Sequence, residues 1–187
     1  MTDVRANILT AMARLIEKQG YHATGLNEII RESGAPKGSV YYYFPGGKEQ
    51  IGAEAILESS RMIAGRLRSM LTGDASPARA VSNFLLGMAD NMEQAGFGAG
   101  SPLTTASVET AITSEKLNLA CREALDGIQS AFSEKFLAGR CGETEAGELA
   151  LYVTTVVEGA ILMSRTYHRV EPLRLAARHL QPYLERF

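Results

Sequence analysis

Apolar side chains recur every three or four residues along almost the whole chain, a spacing that commits it to packed helices. Ile8, Met12, Leu15 and Ile16 share one helical face, and Gly20 closes that segment. Leu26, Ile29 and Ile30 give a short second helix its inner face, ending at Gly34. A third segment runs from Pro36 or Lys37 to Phe44, where Pro45-Gly46-Gly47 breaks the chain. A long helix then spans Lys48 to Leu71, with Ile56, Ile63, Leu67 and Met70 on one stripe. Thr72-Gly73-Asp74 connects it to a helix opened by Ser76-Pro77 and reaching Gln94. Gly96 to Pro102 reads as the most flexible stretch. Helices over Pro102–Ile112, Ser114–Leu137, Glu143–His168 and Pro172–Arg186 follow. Val153 to Val157 is β-branched enough for a strand, but the apolar run continues without turn residues and no second strand candidate exists to pair with it. The expected fold is all-α, with about nine helices.

Composition bounds the function. The chain has 187 residues, enough for a sizeable core, and its 45% apolar and 21% charged content is ordinary for a soluble globular protein. Net charge is −2, so the chain as a whole lacks the basic footprint of many nucleic-acid binders. Residues 1–50 carry six basic and five acidic side chains, a weak asymmetry. Cys121 and Cys141 form no Cys-x-x-Cys pair and read as two reduced thiols, with a redox switch as the alternative. The N-terminus mixes charges too often for a signal-peptide core. The run from Leu149 to Met163 holds Thr154, Thr155 and Glu158, and reads as too short and too polar for a membrane span. A cytoplasmic protein without a membrane partner is expected. His22, His168 and His179 show no metal-ligand spacing, and no cofactor motif is visible.

The informative segment is 24–48. Two short helices flank a Ser33-Gly34-Ala35-Pro36 turn, the arrangement of a helix-turn-helix whose second helix enters the DNA major groove. That helix reads Lys37-Gly38-Ser39-Val40-Tyr41-Tyr42-Tyr43-Phe44. Lys37 suits a phosphate or base edge, Gly38 a close backbone approach, and Ser39 a small donor and acceptor. Tyr41 and Tyr42 present hydroxyls to phosphates. Val40 and Phe44 are expected to hold the helix on the core. Lys48 stands at a helix start, where main-chain N–H groups also attract phosphate. With Thr24, which leads into the first helix, these form the candidate DNA-binding set. An aromatic helical hairpin inside an ordinary all-α core is the competing reading.

Residues 20–51, GYHATGLNEIIRESGAPKGSVYYYFPGGKEQI, resemble the signature of the TetR family. The likeness covers the glycine–aromatic start, the Ile-Ile-x-x-Ser-Gly hairpin, the Lys-Gly-Ser-Val-Tyr-x-x-Phe helix and the Lys-Glu pair. It implies a helix-turn-helix head, residues 1–47, on an effector-binding and dimerisation body, residues 48–187. It further implies a homodimeric repressor that binds near-palindromic double-stranded DNA and is not an enzyme. Two positions depart from the family pattern: Pro36 stands where a capping serine is common, and Gly46-Gly47 adds a residue. Both, with Gly-Ser-Pro-Leu at 100–103, resemble a subgroup of lincomycin-resistance-repressor-like and flavonoid-responsive regulators.

The resemblance implies a small, mostly apolar effector between the long helix and those after it. Met62, Phe84, Met88, Met92, Phe97, Leu103 and Phe132 are the candidates, with the glycine-rich stretch as a gate; ordinary core packing is the alternative for each. Glu109 and Asn83 could orient an effector or simply be solvated. Leu173, Ala176, Leu180, Leu184 and Phe187, with Leu149, Val153, Val156, Ala160 and Ser164, form two stripes expected to build a twofold four-helix dimer interface or to pack within the chain. A helical enzyme or ligand carrier without DNA binding, and a DNA-binding protein without an effector, are the alternatives. No nucleophile–base pair or phosphate loop supports the enzyme.

Overall fold

A computed structural model describes residues 3–71, 76–98, 101–139 and 141–187. They form α1 (Val4–Gln19), α2 (Leu26–Ser33), α3 (Lys37–Tyr43), α4 (Gly47–Leu71), α5 (Pro77–Gln94), α6 (Pro102–Thr110), α7 (Glu115–Gly139), α8 (Glu143–Tyr167) and α9 (Glu171–Leu184). No strand occurs among the described residues, and the β-branched run at 153–157 lies inside α8. The connector at 72–74 and positions 99–100 of the glycine-rich stretch lie outside the described residues. Hydroxyl caps fix several helix starts: Ser76 accepts from the Arg79 amide, Ser101 from Thr104 and Ser114 from Leu117.

The chain forms two compact units. The first combines residues 1–61 with 101–124. Here α1 packs on α2, α3 and α6. Asp3 caps α1 by accepting the Arg5 and Ala6 amides. Ile8, Met12, Ile16, Ile29, Phe44, Ile51 and Ile56 are fully buried and form the core. Each such side chain contributes about 1.5–3 kcal/mol relative to exposure.

The second unit combines residues 62–100 with 125–187. Its centre is α9, which packs on α5 and α8. Val81, Phe84, Leu85, Phe132 and Phe136 are buried, and the Phe84 and Phe132 rings meet edge to face at 5.9 Å. Arg174 reaches Glu93 at 3.2 Å and Asp90 at 3.8 Å, tying α9 to α5. Arg68 donates to both carboxylate oxygens of Glu134, at 2.7 and 2.8 Å.

The stripes expected at a dimer interface are largely consumed here. Leu173, Leu180 and Leu184 of α9, and Leu149, Val153, Ala160 and Ser164 of α8, are buried within the unit. A stripe shows which face of a helix avoids water, not whether its partner is the same chain or another. The uncovered large side chains of this pair are instead Leu151, Tyr152, Leu162, Met163, Tyr167, Leu175, Tyr183 and Phe187. At 25 residues, α8 is also longer than the apolar run suggested, and by length and composition alone it is sufficient to cross a membrane. Its buried side serves as a core face, the ordinary use of such a helix in a folded unit.

Candidate nucleic-acid interface

The helix-turn-helix is built by short-range bonds. Gly34 closes α2 at φ +64°, ψ 11°, a left-handed conformation that favours glycine. The Ser33 hydroxyl donates to the Ile30 carbonyl at 3.1 Å and accepts the Ala35 amide at 3.3 Å, bridging the turn. Pro36 stands at the N-cap of α3, where its carbonyl accepts the Ser39 amide at 2.9 Å and no side chain caps the helix.

On α3, Val40 and Phe44 are one turn apart and buried, so they fix the helix to the core. Phe44 also lies 5.6 Å beneath the Arg5 guanidinium, which pairs with Glu54. Around these anchors Lys37, Gly38, Tyr41 and Tyr42 are all exposed, with Ser39 half-buried, and Gly38 and Tyr42 lie farthest round the helix from Val40. Tyr42 is 79% exposed, far more than an aromatic ring ordinarily is, and its ring meets that of Tyr43 edge to face at 5.1 Å. Tyr43 is exposed too; a run of three tyrosines gave no signal of which would face outward. A Cβ at Gly38 would meet nothing within 4 Å, so no intramolecular packing requires glycine there.

Two residues of the set are tied inward. The Thr24 side chain is buried and its hydroxyl donates to the Gly20 carbonyl at 2.7 Å, so it braces the corner before α2 rather than standing on the outer surface. Lys48, half-buried, donates to the His22 carbonyl at 3.3 Å and lies 4.3 Å from the Tyr21 ring centre. Burial pulls its ammonium below the usual lysine range, with the Glu109 carboxylate opposing that change. Tyr21 is shifted upward, first by burial and then by Glu49.

Of the effector candidates, Phe84, Met88, Met92, Phe97, Phe132 and Met62 fall in the second unit, and Leu103 in the first. Phe84, Met92, Leu103 and Phe132 are buried, Met88 and Phe97 half-buried, and Met62 exposed. Phe97 stacks on His168 at 5.6 Å. None of the seven lines the groove of about 1010 Å³ beside α8 and α9, which is bounded by Val156, Gly159, Met163, Leu175, Ala176 and residues around them. Glu109 serves the first unit: its carboxylate accepts the His22 amide at 2.9 Å. Cys121 is buried and Cys141 half-buried; desolvation pushes both thiols up, away from the reactive thiolate. Among the described residues, no three His, Cys, Asp or Glu are grouped to hold a metal.

Comparison with known proteins agrees with this geometry. Residues 8–55 match the family described as bacterial regulatory proteins, tetR family. Residues 77–179 match the C-terminal domain described as transcriptional regulator LmrA/YxaF-like. The HTH-type transcriptional regulator LmrA of Bacillus subtilis is 40% identical over 171 residues, 91% of each chain. YxaF of the same organism, an uncharacterised HTH-type regulator, is 34% identical and covers 95% of this chain and 93% of its own. A cysteine-substituted CifR regulator, solved with 26-bp double-strand operator DNA, superposes with a TM-score of 0.80 over 95% of this chain and 94% of that one, at 20% identity. These relatives are named as regulators, not enzymes, and this chain belongs to the TetR family of transcriptional regulators, in the group with an LmrA/YxaF-like C-terminal domain.

Proposed function

We propose that this chain is a cytoplasmic, dimeric repressor whose residues 1–47 bind operator DNA and whose residues 48–187 bind an effector and a second copy. The observation that carries the DNA reading is the division of α3. Val40 and Phe44 anchor the helix to the core, while Lys37, Tyr41 and Tyr42 leave three polar tips uncovered. Gly38 supports it. Glycine inside a helix costs about 0.5–1 kcal/mol relative to alanine, and no packing within the protein calls for it. A DNA backbone pressed against α3 would.

Homodimerisation is supported by the uncovered apolar side chains of α8 and α9, which a twofold-related copy would remove from water. Effector control is supported by the aromatic and methionine set at Phe84, Met88, Met92, Phe97 and Phe132, a composition that adapts to apolar guests. Met62, in the same unit, belongs to the proposed effector set. A ligand that favours one head separation shifts operator affinity through its differential binding to the two states, and a 100-fold change requires about 2.7 kcal/mol.

Selection of bound duplexes from a random pool tests the reading. The expected product is a near-palindrome whose half-sites lie about one helical turn, roughly 34–36 Å, apart. Recovery of no preferred sequence would exclude a specific repressor. Screening small apolar compounds for release of the selected duplex then tests effector control, and calorimetry of any active compound with and without DNA must show reciprocal weakening.

A further inference from the structure

Glu109 lies on α6, 87 residues away in sequence from the corner it contacts between α1 and α2. Its carboxylate accepts the His22 amide at 2.9 Å, and its main-chain carbonyl lies 3.2 Å from the His22 ring Nε2. Its other carboxylate oxygen occupies the space beside Gly20. A Cβ at Gly20 would stand 2.0 Å from that oxygen, and Gly20 itself is at φ +91°. Lys48, at the start of α4, donates to the His22 carbonyl. Two helices distant in sequence thus grip one three-residue corner. The next link runs through Thr24, whose hydroxyl bonds the Gly20 carbonyl, directly into α2 and the turn that carries α3.

A second observation is independent of these bonds. The compact unit containing the helix-turn-helix also takes in residues 101–124, and α1 packs directly against α6. By packing, α6 is therefore part of the DNA-reading unit and not an appendage of the remainder.

We infer that Glu109 is a positioning residue for operator recognition, clamping the α1–α2 corner to α6 and thereby setting the attitude of the recognition helix. This rests on the DNA-binding reading above. An ionised acceptor bonded to a main-chain amide is shorter and stronger than a neutral pair, which suits a clamp. The consequence is specific. Two recognition helices must meet successive major grooves together, so a loosened corner weakens binding to the matched sequence. Sequence-independent binding, which depends on phosphate neutralisation, tolerates a small tilt.

The test uses the full-length protein, the duplex selected from the random pool, and a scrambled duplex of equal length. Glu109→Asp keeps the charge but is one methylene too short for the His22 amide; Glu109→Gln loses the charge but keeps an acceptor at the right reach. The expected result is that Asp lowers affinity for the selected duplex about tenfold, with scrambled-duplex affinity unchanged and a fall in melting temperature no larger than one lost hydrogen bond accounts for. Gln, a neutral and weaker acceptor at the same reach, loses less than Asp, and faster hydrogen exchange at the His22 amide accompanies Asp and Ala. Glu109→Ala should follow Asp, so that failure of one variant to fold leaves the other to decide. An unchanged ratio of selected to scrambled affinity in the Asp and Ala variants overturns the inference. So does an equal loss on both duplexes, or a loss with Gln as large as with Asp, which would mark charge and not reach as the cause. A parent protein that selects no sequence overturns the DNA-binding reading itself, so the two failures are distinguishable.

Discussion

The large side chains that α3 leaves in water and those that α8 and α9 leave there differ in chemistry. On α3 the uncovered residues are Tyr41, Tyr42 and Tyr43, rings that each end in a hydroxyl, next to the Lys37 ammonium. Along α8 and α9 Tyr152, Tyr167 and Tyr183 are joined by Leu151, Leu162, Met163 and Leu175, which end in methyl groups and have no counterpart on α3. A hydroxyl or ammonium at the tip suits a partner lined with phosphate oxygens. A methyl group gains only from another apolar surface. The contrast teaches that exposure by itself says little about a partner; the atom at the end of the exposed side chain says more.

The largest effect should separate the buried and exposed faces of α9. Leu180 is 3% exposed and Leu175 is 50% exposed. Leu180→Arg places an unpaired charge in the core of the second unit and should destabilise the fold by about 3–5 kcal/mol, read by thermal or urea unfolding. Leu175→Arg should leave the monomer's stability nearly unchanged. If both variants melted alike, the division between core face and partner face would be wrong.

Leu175→Arg should act on association instead. Truncating or charging a central interface residue typically costs 2 kcal/mol or more, roughly 30-fold or greater in a dissociation constant. Sedimentation over a concentration series would show monomer where the parent is a dimer. The same change at Met163, which shares the groove beside α8 and α9, should behave alike. A persistent dimer in both would move the interface elsewhere.

On α3 the expected effect is smaller. Tyr42→Phe removes one hydroxyl from a ring already in water, so folding should not change, while affinity for the selected duplex falls by about 1 kcal/mol, or five- to tenfold. Lys37→Ala should weaken binding and flatten its salt dependence if it meets a phosphate. Gel-shift titrations at several salt concentrations read both, and unaltered affinity in the pair would remove α3 from the interface.

The smallest effect sharpens what holds the second unit together. The Arg68 guanidinium, by hydrogen bonding, holds the Glu134 carboxyl below the usual carboxylate range. The group's folded value is depressed, so its contribution is present above the ordinary carboxylate range and lost as pH falls through the lowered value. Both side chains are well exposed, at 42% and 55%, and solvent screening limits the pair to about 1 kcal/mol or less. Glu134→Gln should therefore lower the melting temperature slightly at neutral pH and match the parent in acid. A difference that persisted unchanged in acid would show that the ion pair is not its source.

Much of this was legible in the sequence. The 3.6-residue period placed the helices, and Gly20 and Gly34 marked two ends because both take a positive φ that favours glycine, Gly34 alone as a left-handed helical cap. Val40 and Phe44 were readable as anchors from their spacing of four. Other features were not. Thr24 and Lys48 sit at positions that suggest outward contacts, yet both are drawn to the corner at residues 20–22 by bonds that no local pattern announces. Glu109 read as a solvated or effector-facing group because the His22 amide it serves is 87 residues away.

The sequence by itself determined the all-helical fold, the helix-turn-helix, and which face of α3 is anchored, because each follows from side-chain periodicity and turn chemistry within a few residues. Only the tertiary structure decided which apolar stripe is core and which is uncovered. Leu180 and Leu175 are equally hydrophobic, and what separates them is α5 and α8 packed against one side of α9. It also decided that α6 joins the head's packing unit, since that depends on chain segments meeting across a long separation, where burial and hydrogen-bond geometry choose among partners that local sequence leaves equivalent.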